Sequence, residues 1–113
     1  MKTNIAIRTV GDVTFVDLKG KITIGAGDLQ MREGIRQVLA SGTEKLVVNM
    51  KEVTTIDSTG VGELVGCYNA AMNRGSKLKL MCLPAKISDV LTVTQLITVF
   101  DVYNSEAEAL ASF

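Results

Sequence analysis

Two segments near the start of the chain alternate apolar and polar residues, the pattern of half-buried β-strands. They are residues 3–10 (TNIAIRTV) and 13–19 (VTFVDLK), with Gly11-Asp12 between them. A pair of turn residues between two such strands predicts a tight connection, although Asp-Gly would be the stronger signal. The chain is therefore predicted to open with a β-hairpin.

The next segment joins a glycine-rich stretch to a helical pattern. Residues 20–30 (GKITIGAGDLQ) predict a loop ending at Asp28, a residue type that caps helix N-termini, and Gly42 suits the end of the helix that follows. The spacing of the apolar residues places one helix face against a core. That face consists of Met31, Ile35, Val38 and Leu39.

A continuous apolar run and a second helical pattern occupy the middle of the chain. Residues 45–50 (KLVVNM) are typical of a strand covered on both faces, and residues 51–56 (KEVTTI) lead from it into IDSTGVGEL (56–64). A helix is predicted from there to Gly75, a suitable C-terminal stop. Its predicted apolar face consists of Val61, Leu64, Val65, Tyr68 and Met72.

The last third of the chain repeats the alternation of strand and helix. Residues 77–82 (KLKLMC) predict a strand, Pro84 suits the start of a helix, and residues 99–103 (VFDVY) predict a final strand. Residues 105–108 (SEAE) have the form of a capping box ahead of a C-terminal helix. The buried side of the helix near Pro84 is predicted to be Ile87, Val90 and Leu91.

The order of elements predicts an α/β fold in which a mixed sheet begins with the hairpin and continues through alternating helices and strands. Right-handed crossovers are expected between the parallel strands. The length of 113 residues suits one domain, spanning residues 1–113. Binding sites in such sheets gather at strand-to-helix loops, and IDSTGVGEL is one of these loops.

Composition excludes several classes of protein. Twelve basic residues balance twelve acidic ones with no run of like charge, which argues against binding to DNA or RNA. No window approaches the roughly 18 apolar residues of a membrane span, and no apolar segment of a signal peptide follows Lys2. A protein of the cytosol, with no membrane partner, is expected.

Histidine is absent, and Cys67 and Cys82 are the only cysteines. This set supplies neither zinc-ligand spacing nor a Cys-His nucleophile pair, so buried thiols and no metal or other cofactor are predicted. A Ser-His-Asp triad is likewise impossible within the chain. Any hydrolytic role for Ser58 would therefore need another base.

The glycines of the central motif are unfavourable in a helix. Gly60, Gly62 and Gly66 each forfeit about 0.8 to 1 kcal/mol relative to alanine in a helix interior. On a helical wheel, Gly62 and Gly66 lie away from Val61 and line up with Asn69 and Asn73. Two interpretations stay open for this flank, namely close packing within the domain and docking of a partner surface.

Asp57, Ser58 and Thr59 are all residue types that cap helices, yet one cap needs only one of them. At least one hydroxyl should therefore remain free at the positive end of the helix dipole, which suits a phosphate. In aspartic proteases the D-S/T pair is followed directly by glycine, whereas Thr59 separates Asp57-Ser58 from Gly60 in this chain. Phosphate-binding loops carry a lysine that is missing from this motif. GAGDLQ (25–30) lacks the third glycine of a dinucleotide fingerprint.

The stretch VVNMKEVTTIDSTGVGELV resembles the signature of STAS domains, specifically the bacterial anti-sigma factor antagonists. The resemblance runs nearly end to end, including GKITIGAG, RGSKLKL and the closing VFDVYNSEAEAL. Only the D-S-T-G-V-G unit between strand and helix is specific. Val61 stands where many relatives have leucine, which is a small apolar change.

The resemblance implies a partner switch without enzymatic activity of the chain itself. The dephosphorylated antagonist would bind an anti-sigma factor that is a serine kinase, so that a sigma factor is released. The kinase would then phosphorylate Ser58, with Thr59 the neighbouring alternative, and a separate phosphatase would reset the switch. The surface expected to bind the partner consists of Asp57, Ser58, Thr59, Gly60, Gly62, Gly66 and Asn69.

Two other functions have to be weighed. A STAS module could scaffold a signalling complex or serve a transporter without any phosphorylation cycle, and its sequence would look nearly the same. A nucleotide-binding or hydrolytic enzyme is disfavoured by the missing histidine, the missing phosphate-loop lysine and the lack of paired carboxylates in a cleft.

Overall fold

The computed structural model describes residues 4–113, which form one mixed sheet with the strand order β1-β2-β3-β4-β5. β1 runs antiparallel to β2, and the other neighbouring strands are parallel. The predicted hairpin and mixed sheet are thus confirmed, while Thr3 lies outside the described residues. The strands are β1 (Asn4–Val10), β2 (Val13–Ile22), β3 (Lys45–Ile56), β4 (Lys77–Met81) and β5 (Val102–Tyr103).

Helices cover both faces of the sheet, but unequally. The helices are α1 (Asp28–Ala40), α2 (Ser58–Asn73), α3 (Ala85–Val93) and α4 (Glu106–Ala111). α1, α2 and α3 share a large apolar cluster with one face of the sheet, whereas α4 packs on the other face in a small cluster around Phe15. The predicted α/β architecture is confirmed, and the lone short helix α4 completes a third layer.

β3 is the central strand, as its unbroken apolar run predicts. Leu46 and Val48 are fully buried on the side of α1 to α3, and Val47 is fully buried on the side of α4. Alternate residues of a strand point to opposite faces, so a strand covered on both sides must be apolar at every position. β3 therefore contributes side chains to the apolar clusters on both faces of the sheet.

Two strands are longer than predicted and two are shorter, with β4 ending at Met81 rather than at Cys82. β2 continues through Ile22 and β3 through Ile56, with Gly20, which was predicted to begin a loop, buried inside β2 at a register shift. The predicted strand 99–103 shrinks to Val102–Tyr103. The residues before Val102 form a turn of 3-10 helix at Leu96–Thr98 and bury the Phe100 side chain. Few residues therefore remain to pair with β4.

The predicted helix boundaries hold to within a few residues. Gly42 and Gly75, both with positive φ, follow the ends of α1 and α2. Asp28 is not the cap of α1 as predicted, because Gly27 holds that position; the Asp28 carboxylate instead accepts a hydrogen bond from the Gly25 N–H at 3.2 Å. Ser105 caps α4 by accepting from the N–H of Glu108.

The buried face of α2 is rotated from the one predicted. Met72 is 58% exposed, and the small residues Cys67 and Ala71 lie at the core beside Val61 and Leu64. Small side chains at these positions allow the helix to lie close to the sheet. The prediction that both thiols are buried holds for Cys67 and is wrong for Cys82, which is partly exposed at the end of β4.

Candidate functional site

The central motif lies where β3 ends and α2 begins. Asp57 is the N-cap of α2, and its Oδ1 accepts a hydrogen bond from the Gly60 N–H at 2.8 Å, which confirms the predicted capping role. Its Oδ2 accepts another from the Ile24 N–H at 2.9 Å. One carboxylate therefore both starts the helix and ties it to the loop between β2 and α1.

These two hydrogen bonds favour the charged form of the side chain. The N–H groups of Ile24 and Gly60 lower the pKa of the Asp57 carboxyl below its usual value of 3.8. A depressed folded-state pKa means that ionised Asp57 stabilises the fold fully above the unfolded pKa and loses this effect as the pH falls through the folded value. Asp57 is thus a structural anchor at neutral pH.

Asp57→Asn should lower the melting temperature by a few degrees at pH 6, because an amide accepts more weakly than a carboxylate. The difference from the wild type should be fully present above about pH 5 and shrink below about pH 4, where the unfolded chain takes up a proton on Asp57 more readily than the folded one. Thermal unfolding followed by circular dichroism at several pH values measures this. A difference that stays constant down to about pH 2.5 would contradict the assignment.

Ser58 and Thr59 form the first turn of α2, and neither hydroxyl is used to hold the fold. Ser58 is exposed and Thr59 is partly exposed, and within residues 4–113 neither side chain has a hydrogen-bond partner. Because Asp57 alone provides the cap, both hydroxyls remain available at the positive end of the helix dipole. The more exposed of the two belongs to Ser58.

Gly60 has a packing role that the sequence pattern did not reveal. The residue is buried, and a Cβ atom placed on it would overlap the carbonyl oxygen of Ile22 and come within 2.8 Å of Cγ1 of Ile56. The backbone of α2 thus crosses the ends of β2 and β3 at a distance that only glycine permits. The prediction that Gly60 contributes to the partner-binding surface does not agree with the burial of this residue.

The flank of α2 faces solvent rather than the sheet. A Cβ atom on Gly62 or on Gly66 would meet no other atom of the described residues within 4 Å. Gly62, Asn69 and Asn73 are exposed, and Gly66 is partly exposed. Close packing within the domain, one of the two interpretations left open, therefore does not account for these glycines. The flank is defined here as Gly62, Gly66, Asn69 and Asn73.

Ile24 is a surface feature that the sequence analysis missed. Its side chain is 72% exposed, while its backbone N–H is held by Asp57. A large apolar side chain is thus presented to solvent next to the start of α2. The only signal in the sequence was an isoleucine in a loop otherwise rich in glycine, a signal too weak to distinguish exposure from burial.

The described residues give little support for a nucleophilic cysteine, a metal site or a membrane-spanning helix. Burial raises the pKa of the Cys67 thiol to about 11, so this sulfur is a poor nucleophile. No cluster of three or more possible metal-ligating side chains occurs within residues 4–113. No helix in the same part of the chain has the length and apolar character needed to cross a membrane.

Comparison with known proteins identifies the family. The model of the STAS domain matches residues 4–109. The chain belongs to the STAS domain family. It is 26% identical over 102 residues to the anti-sigma-B factor antagonist of Bacillus subtilis, an alignment that covers 90% of this chain and 92% of the relative. The predicted resemblance is confirmed, and the STAS fold is that of the sheet and helices described above.

Solved STAS structures share the fold at low sequence identity. The Bacillus cell fate determinant SpoIIAA in its phosphorylated form is similar with a TM-score of 0.73 and 19% identity, over 96% of this chain and 98% of that one. A sulfate transporter family protein from Wolinella succinogenes is similar with a TM-score of 0.74 and 21% identity, over 93% of this chain and 87% of that one. The same fold thus occurs in proteins of different contexts.

Proposed function

We propose that this STAS domain is a non-enzymatic anti-sigma factor antagonist that binds an anti-sigma factor serine kinase when dephosphorylated and is released by phosphorylation of Ser58. The observation that carries the proposal is the exposed Ser58 hydroxyl in the first turn of α2, which has no hydrogen-bond partner among residues 4–113. The similarity to the anti-sigma-B factor antagonist supports the assignment of the partner class. The cytosol is the compartment in which such a partner would be met.

A phosphate on Ser58 is compatible with the folded domain. The modification adds about −1.5 to −2 charges at neutral pH, and a helix N-terminus stabilises negative charge by roughly 0.3 to 1 kcal/mol at an exposed site. Asp57 offsets part of this gain, since its carboxylate is already bound there. Phosphorylation therefore changes the surface and leaves the fold in place.

The same phosphate would oppose binding of the kinase at an interface where negative charge meets negative charge. Each pair of unit like charges at about 6 Å repels by roughly 0.7 kcal/mol in water and by about 2.8 kcal/mol at an effective dielectric of 20. Since each 1.4 kcal/mol is about a tenfold change in affinity, one phosphate is enough to release a partner. The phosphatase that removes it would restore binding.

The surface proposed to contact the kinase combines the phosphoacceptor, the flank and Ile24. Asp57, Ser58 and Thr59 lie at the centre of this surface, although the bonds of Asp57 to the backbone leave it a mainly structural role. The open space above Gly62 and Gly66 lets another backbone approach α2 closely. Ile24 adds an exposed apolar side chain of the kind that anchors an interface.

The modification site is tested directly by incubating the protein with ATP and lysate of its source cells, followed by mass spectrometry of the tryptic peptides. We expect a phosphate on Ser58 that is absent from Ser58→Ala. A phosphate on neither Ser58 nor Thr59 would contradict the proposed cycle and would favour a module without a cycle, as the similarity to a transporter family protein would then indicate.

Gly66→Gln should weaken kinase binding by at least about tenfold, because a long side chain would fill the space that a partner backbone needs. The melting temperature should stay the same or rise slightly, since glutamine is the better helix former. Isothermal titration calorimetry with the purified kinase measures the affinity. Ala107→Gln, at an exposed position on α4, is the matched control and should bind like the wild type; equal affinity of both variants would exclude the flank from the interface.

A further inference from the structure

The structure leaves one long sheet edge open on the side away from α2. β1 pairs only with β2 in the described part of the chain, and the pairing runs through all seven residues without a register shift. At the opposite edge, β5 has only two residues. Edge strands of soluble proteins are usually protected by proline, charged side chains or a bulge; β1 has no proline and no bulge, and its one charged residue, Arg8, is paired with carboxylates of its own chain.

The backbone of β1 presents its hydrogen-bonding groups outward at alternate residues. A two-residue turn at Gly11-Asp12, with positive φ at Gly11, makes Val10 and Val13 the closing hydrogen-bonded pair of the hairpin. Even-numbered residues of β1 therefore bond to β2. The N–H and C=O groups of Ile5, Ile7 and Thr9 then point away from the sheet.

We propose that β1 is an interface at which a second copy of this chain pairs antiparallel, with the two-fold axis at Ile7, so that two sheets become one. Ile7 is the middle residue of β1. Antiparallel pairing about this residue sets Ile7 opposite Ile7 and Ile5 opposite Thr9. Every residue whose backbone N–H and C=O point away from β2 then lies opposite such a residue of the other copy. This is the register that an antiparallel ladder requires.

The side chains agree with this register. Ile7 is 49% exposed and, with Ile5, lines an open groove of about 640 Å³ between β1 and α1. Gly34 on α1 leaves room in this groove, where Ile5 approaches the helix. In the paired strands, Ile7 of each copy lies against Ile7 of the other beside their two grooves, which removes apolar surface from water.

The charges on β1 do not oppose pairing of two copies. Arg8 is the only charged residue of the strand, and its guanidinium is paired with the carboxylates of Asp17 at 2.6 Å and Glu106 at 2.7 Å. The proposed register places Arg8 opposite Ala6 of the second copy and diagonal to its Arg8, and each guanidinium is already paired with two carboxylates of its own chain. A second copy is the occupant proposed for this edge because the same strand supplies both halves of the ladder about Ile7 and both of the exposed Ile7 side chains that meet there.

Ile7→Lys and Ile7→Glu test the two-fold axis at Ile7. Sedimentation velocity from about 1 µM to about 1 mM should show a monomer–dimer equilibrium for the wild type. Each variant should dimerise at least about tenfold more weakly, because each sets two like charges opposite one another. An equimolar mixture of the two variants should dimerise again, because lysine then faces glutamate. Val93→Lys on α3, where the wild-type side chain is 82% exposed, adds the same charge elsewhere and should dimerise like the wild type.

Amide hydrogen exchange tests the same interface without a substitution. The amides of Ile5, Ile7 and Thr9 should become protected as the wild-type concentration rises, whereas those of Ala6 and Arg8, bonded to β2, should be protected at every concentration. A wild-type chain that stays monomeric throughout, a dimer insensitive to both Ile7 variants, or exchange at Ile7 that does not depend on concentration would overturn the proposal. None of these results depends on phosphorylation of Ser58.

Discussion

Ser58→Asp is expected to bind the partner kinase at least about tenfold more weakly than Ser58→Ala, which should bind continuously because it cannot be phosphorylated. The side chain of Ser58 is exposed in the first turn of α2, so a carboxylate at this position would lie at the interface itself. A true phosphate carries more charge than aspartate and should have the larger effect. Isothermal titration calorimetry with the purified kinase measures both variants and the phosphorylated wild type.

Two controls separate an interface effect from loss of the fold. Thr92→Asp places the same charge at an exposed position on α3 and should bind like the wild type. The melting temperature of Ser58→Asp should equal or slightly exceed that of Ser58→Ala, because a negative charge is favourable at a helix N-terminus. Equal affinity of the two Ser58 variants would refute a switch that acts through charge at this residue.

Gly60→Ala is expected to destabilise the domain by about 2 to 4 kcal/mol, the largest stability effect predicted for this motif. The new methyl group would overlap the Ile22 carbonyl oxygen, which belongs to the backbone of β2 and cannot rotate away. Relief requires α2 to move off the sheet, with loss of contacts around Val61 and Leu64. Urea unfolding at neutral pH measures the change in the free energy of unfolding.

Gly62→Ala, two residues further along the same helix, is the matched control. Its methyl group would enter open space, so the substitution should stabilise the domain by up to about 1 kcal/mol through helix propensity. Opposite signs for the two glycines would separate packing from exposure within one motif. Similar effects of both substitutions would show that the close approach of α2 to β2 does not hold in solution.

Sequence patterns predicted the elements well wherever the spacing of apolar residues typical of a strand or a helix continued without interruption. The run at Leu46 to Val48 identified a central strand, and Asp57 identified the cap of α2, because burial on both faces and N-capping each demand particular residue types. Boundaries were less accurate. The continuation of β2 to Ile22 was missed because Gly20 was assigned to a glycine-rich loop, whereas it lies inside β2 at a register shift and the alternation of buried and exposed residues persists to Ile22.

The three glycines of the motif could not be told apart by residue type. A helical wheel correctly placed Gly62 and Gly66 off the core, but it assigned no partner to Gly60, whose neighbour Ile22 is far away in the sequence. Met72 was assigned to the core because its spacing is helical, yet the small residues Cys67 and Ala71 bring a different stripe of α2 to the sheet. Spacing defines a face only to within about one residue's rotation, or about 100°.

The sequence by itself determined the α/β order of elements, the family resemblance carried by D-S-T-G-V-G, and the presence of more capping residues than one helix start needs. Only the tertiary structure decided that Asp57 also holds the Ile24 loop, that Gly60 serves packing, and that no strand among residues 4–113 pairs with the outer edge of β1. The reason is physical: propensity and periodicity act between neighbours along the chain, whereas these three features depend on contacts between segments distant in sequence.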